Sequence, residues 1–240
     1  MHQSKKFLTA EWRKLVFVNY TIDPRILLPL VPAHTELDSW NNKCYISLVG
    51  FMFLNTKLRG IPIPFHRNFE EVNLRFYVRY NEKGTWKRGV VFIKEIVPKL
   101  LLTLVANSIY KESYVARPMD HFIKEHPDTL EVQYSWKEKN AEQLIYLKAE
   151  NKPLPIMADS KEEFITEHYW GYAKASGNGT VEYQVQHPRW NIYKVIEHQL
   201  KVNYETVYGP SFEFLSHLNA DGIMLAEGSE ISVMDRSWIE

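Results

Sequence analysis

Hydrophobic and polar residues alternate without interruption from Val72 to Tyr80. A period of two is the pattern of a β-strand, whose successive side chains point to opposite faces. One face carries the apolar residues Val72, Leu74, Phe76, Val78 and Tyr80. The other face carries polar groups, namely Glu71, Asn73, Arg75, Tyr77 and Arg79. The run therefore predicts a strand with two chemically distinct faces, and we treat it as the centre of the fold.

The polar face of this strand has two interpretations. It is either a solvated outer face or an inward face that lines a polar cavity, as in barrels wide enough to hold a ligand. Alternation alone leaves both open. The polar loop that follows contains Gly84 and Gly89 and leads into a second β-rich run that ends near Ile96, so we predict a hairpin.

The N-terminal part of the chain predicts strands around one short helix. Leu8 to Ile22 is strand-like, and Asp23-Pro24 supplies an N-cap and a first helical residue for a helix that ends at Pro32. Lys43 to Leu54 is dense in Ile, Val and Phe, which predicts a strand in a sheet covered on both faces.

The C-terminal part predicts mixed elements. The Leu-rich run after Pro98 predicts a buried helix to about Tyr110, and strands are expected at 130–137, 143–149 and 167–173. Ser160 to Glu163 has the pattern of a capping box, which begins a short helix. The runs 224–226 and 231–234 predict a final hairpin around Glu227-Gly-Ser.

Composition restricts the class of protein. The 240 residues contain no repeat or linker-like segment, so we expect one domain spanning residues 1–240. Lys plus Arg equals Asp plus Glu at 29 each, which argues against a nucleic-acid binder and against a polybasic membrane anchor. No apolar run approaches the ~20 residues of a membrane span, and the first residues do not resemble a secretory signal. We expect a soluble cytoplasmic protein.

Familiar catalytic and cofactor motifs are missing from the sequence. The nine histidines have no metal-binding spacing, and there is no phosphate-binding Gly loop, dinucleotide fingerprint or Gly-x-Ser-x-Gly elbow. We therefore predict neither a metal nor a cofactor. The single Cys44 lies in an apolar run and is interpreted as a buried thiol. Lys94 stands between Phe92 and Ile96 on one predicted strand face, where it is either an activated amine or an ordinary surface lysine.

Several segments together resemble the YqjF-like family of unknown function, within the acetoacetate decarboxylase-like superfamily. They are Trp12 with residues 19–24, Gly60-Ile-Pro-Ile-Pro, Phe69-x-Glu-Val-Asn-Leu-Arg-x-Tyr-Val-Arg79, the Leu-rich helix leading to Tyr114, Thr166-Glu-His-Tyr, and His187-Pro-x-Trp190. The resemblance covers nearly the whole chain. It implies a mainly β fold, an antiparallel cone-shaped β-barrel with a few peripheral helices, which encloses a small polar and aromatic cavity. That favours the inward interpretation of the central strand.

The resemblance also implies a reaction for which this chain lacks a residue. In the decarboxylases, a lysine just after the helix that follows the central hairpin forms a Schiff base with a β-keto acid. At the matching place this chain has Ser113 and Tyr114, and Lys111 aligns only after a shift of about three residues. Because a phenol cannot form an imine, Schiff-base decarboxylation is not expected.

Three hypotheses for function remain. In the first, a small-molecule enzyme uses Glu71 as acid or base and Arg75 to hold an oxyanion. In the second, the same cavity binds a small organic ligand, such as a carboxylate or keto acid, without catalysis. In the third, the polar residues only satisfy one another. The remaining candidate ligand-binding residues are Asn73, Tyr77, Tyr110, Tyr114, Glu167, Tyr169, His187 and Trp190. The expected partner is a small molecule, and homo-oligomerisation stays open.

Overall fold

The structure is a computed structural model that describes residues 5–98, 113–175 and 177–239. Most of these residues lie in strands. The strands are β1 (Lys6–Ile22), β2 (Thr35–Leu37), β3 (Cys44–Leu58), β4 (Ile61–Pro62), β5 (Phe69–Glu82), β6 (Thr85–Val97), β7 (Tyr114–Ala116), β8 (Met119–Glu125), β9 (Thr129–Glu138), β10 (Ala141–Glu150), β11 (Leu154–Pro155), β12 (Trp170–Lys174), β13 (Thr180–Gln186), β14 (Asn191–Tyr193), β15 (Val195–Lys201), β16 (Ile223–Met234) and β17 (Ser237–Ile239).

The helices within the described residues are short. They are α1 (Pro24–Leu27), α2 (Lys161–Thr166) and α3 (Tyr204–Tyr208), with 3-10 turns at Leu28–Leu30 and Pro210–His217. Asp23 caps α1 by accepting from the Arg25 backbone N–H, and Ser160 caps α2 by accepting from the Glu163 N–H, as the sequence predicts. The helix predicted from Pro98 to Tyr110 lies outside the described residues.

The strands form two sheets. The larger sheet has 13 strands in the order β11-β14-β16-β1-β3-β5-β6-β12-β13-β17, with β2, β4 and β7 attached at its side. Strand β13 also pairs with β16, so the paired strands β16, β1, β3, β5, β6, β12 and β13 form a closed ring. The smaller sheet has four strands in the order β15-β10-β9-β8.

The mainly β class is confirmed, but the large sheet is mixed: most described strand pairs are antiparallel, as expected, and two are parallel. Strand β6 pairs in parallel with β7 and with β12. Parallel neighbours cannot be joined by a tight turn, and β6 is separated from β7 and from β12 by long stretches of sequence.

The two largest buried clusters lie on opposite faces of the large sheet, and a small third cluster contains Phe7, Tyr183 and Val185. The apolar side of β5, with Val72, Leu74 and Phe76, belongs to a buried cluster shared with Leu130 and Leu147 of the smaller sheet. The other side of the large sheet contributes to a second cluster, which includes Phe17, Val49, Phe51 and Phe69. Strand β3 contributes to both clusters, which confirms the prediction that it is covered on both faces.

The predicted C-terminal hairpin is wrong, because β16 runs unbroken from Ile223 to Met234. Both halves of β16 pair with β1, and Gly228, opposite Arg13, has φ +82° in a local irregularity of the strand. A Cβ on Gly228 would lie 2.0 Å from the Trp12 carbonyl oxygen. The glycine therefore permits close approach of two strands within a continuous ladder instead of reversing the chain.

Two further interpretations change. Cys44 is half-buried at the start of β3, since its strand begins at the edge of the core, and burial raises the pKa of its thiol. Phe92 and Lys94 do not share a face, because the pairing of β5 with β6 skips Ile93 and this bulge reverses the alternation. In the described part of the chain, we find no helix of the length and apolar character that a membrane crossing requires.

Candidate functional site

A cavity of about 130 Å³ lies within the closed ring of strands. Every strand of the ring contributes to its wall, and much of that wall is aromatic. The aromatic lining residues are Phe7, Trp12, Phe51, Phe53, Phe69, Phe92, Tyr114, Trp170, Tyr183, His187 and Trp190, together with His168. Concave, mostly apolar spaces with a few polar groups are where small molecules bind.

Glu71, Asn73 and Arg75 of β5 supply polar groups to this wall. Their side chains lie on one face because they alternate with Val72 and Leu74, whose apolar side chains pack against the smaller sheet. Glu71 and Asn73 are 2% and 1% exposed, and Arg75 is 9% exposed. The structure thus places these three side chains at an interior cavity and not in bulk solvent.

Glu71 is held by two hydrogen bonds. Asn73 Nδ2 donates to Oε1 at 2.9 Å, and the Tyr114 hydroxyl donates to Oε2 at 3.2 Å. Burial raises the pKa of Glu71 to about 7, against the lowering effects of these hydrogen bonds and of the Arg75 charge. A carboxyl group with this pKa is available in both protonation states near neutral pH.

Arg75 is a buried cation with few protein partners. Its Nη2 donates to the Ile165 carbonyl at 3.4 Å, and its guanidinium lies 5.3 Å from the Phe17 ring and 5.8 Å from the Tyr77 ring. Among the described residues, Nε has no hydrogen-bond partner and no carboxylate forms an ion pair with the guanidinium. Buried charges are ordinarily paired, so this guanidinium has capacity for an anion.

His168 is a cavity residue that our site prediction did not include, although the Thr166-Glu-His-Tyr segment contains it. Its side chain is 0% exposed, and Nε2 lies 3.1 Å from Asp38 Oδ2, which also accepts from Arg88 Nε at 2.6 Å. Burial lowers the pKa of His168 to about 4, against the raising effect of Asp38, so the imidazole is neutral at neutral pH. Its Nδ1 has no partner among the described residues.

Glu95 and Trp12 also line the cavity and were not predicted as site residues. Glu95, opposite Asn73 on the neighbouring strand, is 2% exposed. Cross-strand pairing brings it to the polar face of β5, and the register needed to see this depends on the bulge at Ile93. Trp12 packs edge-on against Phe51 at 5.3 Å, and its Nε1 lacks a partner in the described part of the chain.

Three of the predicted ligand-binding residues outside β5 line the cavity: Tyr114, His187 and Trp190. The His187 ring stacks on Trp190 with a centroid distance of 4.3 Å, and burial lowers the pKa of His187. Trp190 Nε1 donates to Ser229 Oγ at 2.9 Å, which fixes the indole.

Three other predicted ligand-binding residues, Tyr77, Glu167 and Tyr169, are described by the structure and are not in the lining. The Tyr77 hydroxyl lies 2.6 Å from Ser47 Oγ, and its ring packs on Phe164 and His168. Tyr169 donates its hydroxyl to the neighbouring Glu167 carboxylate, so these two residues satisfy each other. Tyr110 lies outside the described residues. The strand predicted at 167–173 begins only at Trp170, so Glu167 and Tyr169 lie in a connecting segment where side-chain direction does not follow period two.

None of the described lining residues is a lysine. Lys94 lies on the other face of β6, where its ammonium donates to the Val207 carbonyl and lies 5.8 Å from the Tyr208 ring. Burial lowers the pKa of Lys94, yet its direction takes it away from the cavity. Lys111 lies outside the described residues.

One group of side chains has ligand atoms close enough for a metal. Single ligand atoms of Glu70, Asp120 and His121 lie within 4.8 Å of one another. His121 Nδ1 and Glu70 Oε1 are 2.5 Å apart and hydrogen-bonded, so these two groups already satisfy each other. We assign no metal to this group.

Comparison with known proteins identifies relatives over most of the chain. Residues 9–230 match the model of DUF2071, a family described as an uncharacterized conserved protein. The uncharacterized protein YqjF of Bacillus subtilis (strain 168) is 30% identical over 196 residues, which cover 80% of this chain and 77% of YqjF.

Solved structures share the fold at low sequence identity. The acetoacetate decarboxylase of Legionella pneumophila subsp. pneumophila str. Philadelphia 1 matches with a TM-score of 0.66 at 12% identity, over 100% of this chain and 90% of that one. An acetoacetate decarboxylase-like enzyme from Sphingomonas wittichii RW1 gives 0.65 at 11% identity, over 98% and 94%. The enduracididine biosynthesis enzyme MppR, complexed with pyruvate, gives 0.64 at 7% identity, over 100% and 91%.

These matches confirm the resemblance drawn from the sequence. At such identities the solved structures establish the fold alone, whereas the family model and YqjF match in sequence. The chain belongs to the DUF2071 family, is related in sequence to YqjF, and shares the fold of acetoacetate decarboxylase.

Proposed function

We propose that the cavity binds a small organic ligand through its carboxylate, without forming a Schiff base. The observation that carries this proposal is Arg75, a buried guanidinium at the cavity wall with an unpartnered Nε and no ion pair among the described residues. An anion there would offset the cost of burying the charge. A carboxylate suits a guanidinium because its two oxygens match the planar donors.

The other polar groups support a carboxylate ligand. Protonated Glu71 donates a hydrogen bond to a ligand oxygen, and its pKa of about 7 makes this form available at neutral pH. The aromatic wall is weakly polarisable compared with water, and electrostatic contacts are stronger in such surroundings. The closed ring of strands supports our prediction of a cone-shaped barrel of the acetoacetate decarboxylase type around the ligand.

Binding without imine formation is supported by the lining. An imine needs an amine, and the described lining residues contain none on a lysine side chain. The MppR structure holds pyruvate, which is a keto acid, so at least one protein of this fold accommodates such a ligand. For the present cavity we infer from MppR only that a ligand of the size and chemical class of pyruvate is suitable.

The test is ligand binding with a matched arginine control. Acetate, pyruvate, acetoacetate and 3-hydroxybutyrate are titrated by calorimetry and thermal shift, alongside their uncharged amides. Arg75→Gln removes the cavity cation, whereas Arg79→Gln removes an arginine of the same strand that is exposed and paired with Glu36. We expect at least one acid to bind the wild type and the Arg79 variant, and to lose about tenfold or more with Arg75→Gln.

The contrary outcomes are clear. Failure of every acid to bind, or equal binding of acid and amide, would refute an anion site. If the acid still binds to the Arg75→Gln variant, the carboxylate is held by a residue other than Arg75. A polar network that only satisfies itself predicts the first of these results.

A second candidate function is catalysis on a small carbonyl compound, with Glu71 as acid or base. The observation that favours it is the pKa of about 7, since acid–base catalysts work best near the operating pH. Ionised Glu71 would take a proton from the carbon next to the carbonyl, and Arg75 would stabilise the resulting enolate oxygen. In D₂O, the deuterated carboxyl then returns a deuteron to that carbon.

Proton exchange tests this candidate directly. Acetoacetate and pyruvate are incubated with the protein in D₂O, and loss of the α-proton signals is followed by NMR. Exchange that is faster with wild type than with Glu71→Gln would support catalysis. If exchange occurs only at the buffer rate while the ligand still binds, catalysis is refuted and ligand binding remains as the function.

A further inference from the structure

We propose that His168 makes the cavity selective for ligands that carry a hydroxyl or N–H donor together with the carboxylate, so that hydroxy acids are preferred over the corresponding keto acids. This inference rests on the proposed carboxylate binding and names the ligand class. It concerns a residue with no assigned role, and it runs against the expectation of a keto-acid ligand.

The contact with Asp38 determines which ring nitrogen of His168 carries the hydrogen. Asp38 Oδ2 lies 3.1 Å from Nε2, and Asp38 is held as a carboxylate, since the hydrogen bond from His168 and the Arg88 guanidinium lower its pKa despite its burial. A carboxylate only accepts, so Nε2 carries the hydrogen. In a neutral imidazole the other nitrogen, Nδ1, then has a lone pair and is an acceptor.

The lone pair of His168 Nδ1 lies in a buried environment. His168 lines the cavity, its side chain is 0% exposed, and Nδ1 has no partner among the described residues. The faces of the ring are occupied, with Tyr77 at a centroid distance of 4.7 Å and Phe164 at 5.1 Å. A buried acceptor without a partner carries a desolvation cost, which a ligand donor removes.

The cavity wall also contains a second acceptor, Asn73 Oδ1. Asn73 Nδ2 donates to Glu71, and Asn73 Oδ1 is without a partner in the described part of the chain. The unpartnered donors are Arg75 Nε and Trp12 Nε1. The cavity thus offers a cation with donors for a carboxylate, and separate acceptors for a hydroxyl or N–H group.

A keto oxygen is itself an acceptor. Placed beside His168 Nδ1, it would leave both lone pairs unsatisfied, whereas a hydroxyl oxygen donates its hydrogen. Sites built to hydrogen-bond a ligand hydroxyl discriminate against analogues without it, because the buried protein group is then unpaired. Loss of one such bond corresponds to about tenfold in affinity.

The experiment compares matched pairs that differ only in the oxidation state of one carbon. The pairs are 3-hydroxybutyrate with acetoacetate and lactate with pyruvate, and each dissociation constant is measured by calorimetry. We expect the hydroxy acid of at least one pair to bind about tenfold more tightly. In His168→Phe, which keeps a ring in place but removes Nδ1, the preference disappears while Arg75-dependent binding remains. His126→Phe, which removes a partly exposed histidine paired with Glu131, is the matched control and retains the preference.

Because His168→Phe removes a partner of Asp38, a measurement on the wild type is included. Two-bond ¹H–¹⁵N NMR of the histidine rings reports which nitrogen is protonated. We expect His168 to carry its hydrogen on Nε2, and its Nδ1 resonance to move when the hydroxy acid is added. A hydrogen on Nδ1 overturns the proposal without reference to any ligand.

The binding outcomes separate the two proposals. If keto and hydroxy acids bind equally, or keto acids bind better, and binding depends on Arg75, the selectivity is refuted and the carboxylate site stands. If neither class binds, the carboxylate site fails and the selectivity fails with it. If the His168→Phe variant still prefers hydroxy acids over keto acids, another residue causes the preference and the role of His168 is refuted.

Discussion

Burial shifts two titratable residues of the cavity wall in opposite directions. It raises the pKa of Glu71 to about 7 and lowers the pKa of His168 to about 4. Both shifts favour the neutral form of the group, because a charge loses hydration energy in the interior. Arg75 keeps its charge, since a guanidinium is not deprotonated in proteins. The carboxyl and the imidazole therefore respond to pH while the cation of the site remains.

The first prediction concerns stability. The pKa of Glu71 is about 7 in the folded protein, against an ordinary value of 4.5. Between these pH values the folded protein therefore holds a proton that the unfolded chain has lost. The contribution of Glu71 to stability is complete below pH ~4.5 and is lost as pH rises through about 7. Glu71→Gln does not titrate. The unfolding free energy of the variant minus that of the wild type should therefore increase as pH rises from about 4.5 to above about 7. The expected increase is on the order of 3 kcal/mol.

Urea unfolding at pH 4.5, 6 and 8 measures this difference. Glu142→Gln, at an exposed position on β10, serves as the control and should track the wild type. A difference between Glu71→Gln and wild type that stays constant with pH would show that the carboxyl is not shifted upward.

The second prediction concerns the pH dependence of ligand binding. A bound carboxylate beside Glu71 favours the protonated acid, so affinity should be constant below the pKa of about 7 and fall as pH rises above it. The limiting slope is about tenfold per pH unit. Calorimetry from pH 5.5 to 8.5 tests this, and Glu71→Gln should remove the slope. Affinity that rises with pH would mean that ionised Glu71 assists binding.

At the scale of elements, two of the irregularities in the large sheet affect residues that face the cavity. The bulge at Ile93 directs Lys94 to one face and Glu95 to the other. At Gly228 the positive φ allows β16 to continue against β1 beside Trp12, which is a cavity residue. Strand β5 itself is regular across Glu71, Asn73 and Arg75 on the side paired with β3, and its alternation sets their direction.

The third prediction uses two glycines with similar φ and different surroundings. Gly228 has φ +82° and would place a Cβ 2.0 Å from the Trp12 carbonyl, while Gly84 in the β5–β6 turn has φ +91° and no atom within 4 Å. Gly84→Ala should cost about 1–2 kcal/mol from backbone conformation alone. Gly228→Ala adds a backbone clash and should cost more, with Tm lowered further or no folded protein recovered.

Thermal unfolding by circular dichroism measures both variants. Equal effects of the two substitutions would show that the contact with Trp12 relaxes at no cost. A larger effect at Gly84 would contradict the close approach of β16 to β1.

At the scale of the whole molecule, the closed ring of strands surrounds a cavity while the smaller sheet covers the opposite face of β5. This arrangement separates two tasks. The apolar cluster between the sheets supplies burial, and the cavity face is left to carry polar groups. The same fold in acetoacetate decarboxylase and in MppR, at 12% and 7% identity, shows that the architecture accommodates very different sequences.

The fourth prediction tests the chemistry of the complete protein. Incubation with acetoacetate and sodium borohydride should give no covalent adduct by intact-mass measurement, since reduction traps only an imine and the described lining has no lysine. Carbon dioxide release should equal that of buffer. An adduct mapped to Lys111 would establish an amine in the cavity, and one mapped to Lys94 would contradict its contact with Val207.

Much of the site follows from local sequence. Period two over Val72 to Tyr80 determines that Glu71, Asn73 and Arg75 share a face, because successive side chains of a strand alternate. The caps at Asp23 and Ser160 were predicted for the same reason, since each depends only on residues a few positions away. Resemblance to a family then favoured the cavity for that face.

Only the tertiary structure decided the remaining features. His168 joins Asp38 across 130 positions of sequence, and its neutral state comes from burial by elements that no local pattern brings together. Lys94 lies on the face opposite to Phe92, and Glu95 lies on the cavity face, because the bulge at Ile93 shifts the alternation of β6. The parallel partners of β6 and the unbroken β16 likewise depend on contacts between distant strands. Sequence by itself determined which side chains alternate, while long-range packing determined which of them meet and which are left with unsatisfied polar atoms for a ligand.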